Sequence, residues 1–185
     1  MSEYQYYEFC CMTAPLSQEA RKEMSSLSSR AHITTHGASY VYHYGDFRGN
    51  IKKLLLKYFD VFFYMSNWGT VRLLFKYPPQ SVNIEELKKY SIKNVISCEQ
   101  QSQAILLDIH IHNEEGGEWI EGEGLLVDLL PLHEEIKNGN YQLLRLVSEL
   151  NHEDTENREV LLSLNITKMK LSLAQKAFLN CIGID

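Results

Sequence analysis

The apolar and polar positions along the chain alternate between strand-like and helix-like spacing. Residues 4–13 are rich in aromatics, Cys and Thr and are closed by Pro15, which predicts a strand. Pro15–Ser28 predicts a helix: Glu19, Ala20, Glu23, Met24 and Leu27 fall at helical spacing, and the serine-rich stretch 25–29 frays its end. A second β region covers His32–Tyr44, with Gly37 expected to kink or bulge it. Gly45–Asn50 reads as a turn, and Asn50 as the N-cap of a helix over Ile51–Ser66. In that helix Leu54, Leu55, Tyr58, Phe59, Phe62 and Phe63 are expected to face inward, with Gly69 closing the segment. Val71–Tyr77 is a buried strand stopped by Pro78 and Pro79.

Beyond the prolines, Ile84–Tyr90 predicts a short helix, and Val95–Gln101 with Gln103–His112 predicts two strands in a hairpin. The second strand has the strictest alternation in the chain. Leu107, Ile109 and Ile111 face one way, and Asp108, His110 and His112 the other. Residues 113–124 form an acidic glycine-rich loop holding Trp119, and Asn151–Glu156 a polar loop; Val160–Leu164 fits helix or strand. Helices are expected over Leu132–Lys137, Tyr141–Leu150 and Leu171–Cys181. The order predicts an α+β fold: a mainly antiparallel sheet with helices packed on one face, followed by a helical C-terminal region. The expected division is an aromatic-rich α+β domain over 1–124, with 125–185 as helices packed on it.

Composition adds polarity to this picture. Sixteen of the 20 aromatic residues lie in the first 77 positions, so specific packing and recognition are expected there. Those 77 residues carry nine Lys/Arg and six Asp/Glu, a net +3, whereas residues 78–185 carry nine and eighteen, a net −9. Such a split can steer two proteins, or two copies of one, together. It argues against nucleic-acid binding, which needs a basic footprint. The four cysteines form no C-x-x-C pair and no zinc-finger spacing, which fits core thiols in a reducing compartment. No stretch has the apolar length of a membrane helix or a signal peptide, so a cytoplasmic protein is expected.

Candidate chemistry is sparse. No P-loop, G-x-S-x-G or dinucleotide fingerprint occurs. Asp108-x-His110-x-His112 is the sharpest signal: one strand face carries a carboxylate and two imidazoles, a set suited to a divalent metal, with Glu114 or His43 able to complete it. The competing reading is the polar face of an amphipathic strand. His43 and Asp46 flank a turn, where a His–Asp pair could do acid–base work and Asp46 could instead make an Asx-turn. Arg48, Lys52, Lys53 and Lys57 outline a basic face near a helix start, suited to an anion or nucleotide, or to solvent alone. Trp68 and Trp119 sit in loops, where an indole can anchor a partner or cap a core.

Several segments together carry a resemblance. Ser2–Phe9, Ser28-Ser29-Arg30-Ala31, Tyr44-Gly45-Asp46-Phe47-Arg48-Gly49, Tyr58-Phe59-Asp60, Asn67-Trp68-Gly69-Thr70 and Leu173–Asp185 resemble a group of uncharacterised bacterial cytoplasmic proteins. The resemblance implies a bacterial protein and brings no activity with it. Without a catalytic motif, the expected function is non-enzymatic: a protein-binding or adaptor protein of a bacterial multi-protein system. Trp68, Trp119, Asp46 and Arg48 would be its contact residues, and another protein or a second copy its partner. The alternative is a metal-dependent enzyme holding its ion on Asp108, His110 and His112, with metal-bound water as nucleophile.

Overall fold

The strand formed by Gln5–Cys10 (β1) lies in the middle of a seven-stranded sheet, not at its edge. The computed structural model describes residues 3–101, 103–112, 121–151 and 169–184. After β1 come the helix Gln18–Ser26 (α1), the strands Ala31–Ile33 (β2) and Gly37–Tyr42 (β3), and the helix Ile51–Tyr58 (α2). The strands Val61–Ser66 (β4) and Thr70–Tyr77 (β5), the helix Ile84–Lys88 (α3) and the strands Ile96–Gln101 (β6) and Ala104–His112 (β7) follow. The helices Leu125–Leu129 (α4), Pro131–Lys137 (α5), Gln142–Leu150 (α6) and Leu173–Cys181 (α7) complete the described elements. The sheet order is β2-β3-β1-β4-β5-β7-β6, and every neighbouring pair is antiparallel.

The α+β class, the antiparallel sheet and the C-terminal helical region are as the sequence predicts, but the cover is two-sided. Phe63, Leu73, Phe75, Leu107 and Ile109 point into one core, shared with Leu129, Leu144, Val147 and Phe178 of the C-terminal helices. Their strand neighbours Tyr7, Phe9, Phe62, Leu74 and Leu106 point the other way, onto Ala20 and Met24 of α1 and Leu54 and Leu55 of α2. α1 and α2 pack on one face and the C-terminal helices on the other, because the central strands are apolar on both sides and each side needs a cover.

The largest departure lies at 51–66. The expected single helix ends at Tyr58, and Val61–Ser66 is a central strand between β1 and β5. Asp60 marks the break: its carboxylate accepts from the Met12 N–H at 2.9 Å, and its own N–H donates to the Cys10 carbonyl. Held to the end of β1 by its N–H and to Met12 by its side chain, Asp60 precedes a strand, and the β-favouring run Val-Phe-Phe-Tyr continues it. The β region at 32–44 is likewise a hairpin of two strands. Gly37 opens the second strand opposite Cys10, where a Cβ would stand 2.6 Å from the Phe9 carbonyl oxygen. No helix among the described residues is long and apolar enough to cross a membrane.

Candidate functional site

The pairing register brings several singled-out segments to one end of the sheet. Gln5 pairs with Tyr42 on one side and Ser66 on the other, and Thr70 pairs with His112. The turn after β3, the Asn67–Gly69 turn and the end of β7 therefore share that end. Trp68 is 39% exposed there and Tyr44 is 74% exposed, both high for large apolar rings. Trp119 lies outside the described residues.

The turn Tyr44–Gly49 is built from the inside outward. Gly45 adopts φ +73°, a left-handed conformation costly for other residues. Phe47 turns inward and packs against Tyr7, Phe9 and Tyr40, with ring centroids 5.4, 5.7 and 4.7 Å away. Gly49 closes tightly over it; a Cβ there would meet the Phe47 ring at 2.6 Å. With Phe47 anchored, Asp46 and Arg48 on either side of it are exposed.

Gln5 fixes this turn from beneath. It is almost fully buried, and its amide nitrogen donates to the Gly45 carbonyl at 3.0 Å and to Asp46 Oδ1 at 3.1 Å. Its amide oxygen accepts from the hydroxyls of Tyr7 at 2.7 Å and Tyr64 at 3.0 Å. All four hydrogen-bonding positions of the amide are filled, so its orientation is settled. Burial and the neighbouring Tyr64 push the Tyr7 hydroxyl well above its ordinary range, which keeps it a donor.

Opposite the turn runs the segment that joins α1 to β2. The Tyr40 hydroxyl donates to the Met24 carbonyl at 2.7 Å, and Ser28 Oγ accepts from the Arg30 N–H at 3.1 Å. The Arg30 guanidinium lies 5.2 Å from the centroid of the Tyr42 ring and donates to the Tyr44 carbonyl at 3.5 Å. Between the two segments lies an open cleft of about 510 Å³, lined by Ser26, Ser28, Arg30, Tyr44, Asp46 and Arg48 among others. The structure thus places Asp46 and Arg48 together. Sequence reasoning did not select Gln5 or Arg30. A lone Gln in an aromatic strand, and an Arg closing a serine run, were their signals.

The remaining candidates separate. Strand alternation does put Asp108, His110 and His112 on one face, but the carboxylate is already taken. Arg72 grips Asp108 through two bonds, Nε–Oδ1 at 2.9 Å and Nη2–Oδ2 at 2.6 Å. His112 Nδ1 lies 2.8 Å from Thr70 Oγ1. Among the described residues no group of three or more His, Cys, Asp or Glu is arranged to hold a metal ion. Burial, then the Arg72 charge, lowers the pKa of His110 below its ordinary value.

His43 and Asp46 do not pair. His43 Nδ1 lies 3.2 Å from the Glu3 carbonyl and its ring tilts on Tyr4, while Asp46 serves Gln5. The basic face on α2 is partly consumed, because Lys52 pairs with Glu99 at 2.5 Å and Lys57 with Glu23 at 2.7 Å. The thiols of Cys10, Cys11, Cys98 and Cys181 are pushed up to about 11, burial being the largest cause in each, so they are protonated near neutral pH. No family model, curated protein or solved structure matches the chain.

Proposed function

We propose that this protein is a non-enzymatic binding protein that docks another protein at the β3–α2 end of its sheet. The observation that carries the reading is the gathering there of exposed Tyr44 and Trp68 with the cleft that holds Arg30, Asp46 and Arg48. Aromatic rings and arginines supply most of the energy at protein interfaces. Here the turn that presents Asp46 and Arg48 is fastened by a buried, fully satisfied amide and a buried ring, so little ordering cost remains for the bound state. The same surface supports an adaptor role within a larger system, in which the protein would hold its partner without changing it.

The test is affinity purification from the source cells with the wild-type protein and a Tyr44→Ala/Trp68→Ala variant. A stoichiometric partner should copurify with the wild type and be lost from the variant, with both proteins equally folded by circular dichroism. Equal recovery on both would refute the assignment of this surface.

A further inference from the structure

We infer that the cleft between residues 26–30 and 42–48 is a pocket for one acidic side chain, the carboxylate or phosphate of a residue in an exposed segment of the partner. This rests on the binding reading above and specifies what that surface reads. The first ground is cationic geometry. Arg30 and Arg48 both line the cleft, and among the described residues neither takes a carboxylate in an ion pair. Arg30 is preset by the Tyr42 ring and the Tyr44 carbonyl. A guanidinium has five N–H donors in a planar fork, and the Tyr44 carbonyl takes one.

The second ground is hydroxyl supply. Ser28 Oγ accepts from the Arg30 backbone, so its own proton remains to be donated to an anion. The third is the sign of the lining. Asp46 stands in the same cleft, its carboxylate oriented by Gln5. Two cations against one anion leave a single net positive charge, which suits one acidic group and disfavours a polyphosphate. Asp46 can also accept from a backbone N–H, which a peptide supplies beside its acidic side chain. A volume of about 510 Å³ falls within the ~300–1,000 Å³ typical of small-ligand pockets, enough for a side chain and its flanking backbone. Exposed Tyr44 stands at the rim to cover the next residue of the segment.

The experiment is a titration of the full chain, isotope-labelled for NMR, with four probes: N-acetyl-glutamate methylamide, N-acetyl-phosphoserine methylamide, inorganic phosphate and ATP. At least one blocked amino acid should shift the backbone amides of 26–30 and 44–48 saturably. The Arg30→Ala/Arg48→Ala variant should bind it at least about tenfold more weakly, as loss of charge-assisted hydrogen bonds demands. Both arginines are exposed, so the variant should keep its fold. No saturable shift from either blocked amino acid, or one that survives the double substitution, overturns the inference. Tighter binding of ATP makes the cleft a nucleotide site, and equal binding of inorganic phosphate makes it a free-anion site; either overturns it too. Failure of the partner reading is separable: the Tyr44→Ala/Trp68→Ala purification would then show no loss, whatever the probes do.

Discussion

Removing the Asp108 carboxylate should destabilise the protein through an ion pair, not through a metal. The Arg72 and Asp108 side chains are 23% and 11% exposed and joined by two short bonds across β5 and β7. Breaking a buried pair by deleting one partner costs about 3–5 kcal/mol, because the survivor stays charged and unpaired. Arg72 retains some access to water, so Asp108→Ala should fall near the lower end, roughly 3 kcal/mol. Arg72→Ala should cost about as much, since it strands a carboxylate with less access to solvent. Arg72→Met/Asp108→Leu, which removes both charges and keeps the bulk, should lie within roughly 1 kcal/mol of the wild type. A cycle over the two alanine variants and their double should give a coupling of about 2 kcal/mol. Urea unfolding at neutral pH, with slopes compared to confirm a common transition, reads all of these. If Asp108→Ala costs less than about 0.5 kcal/mol, the pair behaves as a surface contact and the reasoning fails. A zinc-dependent rise in stability that Asp108→Ala abolishes would return the strand to the metal reading.

Three further outcomes are expected. Gln5→Leu should cost about 2–3 kcal/mol, because the buried Tyr7 hydroxyl, the half-buried Tyr64 hydroxyl and the Gly45–Asp46 turn lose their partner; urea unfolding measures the loss, and a cost under ~0.5 kcal/mol would contradict it. Burial, offset in part by the Tyr6 hydroxyl, raises the Glu8 carboxyl above 4.5, so the folded protein holds that proton more firmly than the unfolded chain. Its contribution is then present below about 4.5 and lost as pH rises through the folded value, so Glu8→Gln should raise Tm at pH 7 and lose that advantage in acid. His110 has the opposite sign: its lowered pKa makes the unfolded chain the better proton binder just below 6.5, so stability should fall as pH drops from there, and His110→Gln should flatten that part of the Tm profile.

The 103–112 strand was legible from its one polar face, and Val71–Tyr77 from the prolines that stop it, but Val61–Ser66 was not. The 103–112 segment shows its period because Asp108, His110 and His112 are polar and share one sheet face, with both histidines exposed. Val61–Ser66 shows none. Phe62 and Phe63 are both fully buried on opposite sides of the sheet, so the run joined the preceding helix in a spacing argument. Asp60 was the available sign of the break, but its role depends on β1, about 50 residues earlier in the chain. Similarly, Asp46 and Arg48 were selected at a turn, while their cleft needed Arg30 from across it. Local composition marks a turn; only the register of β1 with β3 and β4 shows which turns share an end.

The central place of β1 also governs how the chain can fold during synthesis. Its two neighbours are β3 and β4, and the pairing of Gln5 with Ser66 spans about 60 residues. β1 is thus made before both of the strands that flank it, and the second arrives only with Ser66. Until β4 arrives, an aromatic strand with a free edge is held by the β2–β3 hairpin alone, the state most open to wrong pairing. Tyr7 and Phe9 gain their facing partners Tyr64 and Phe62 only when that distant strand closes the gap. Long-range closure of this kind slows folding, so the segment around β1 is where a chaperone would have most to hold.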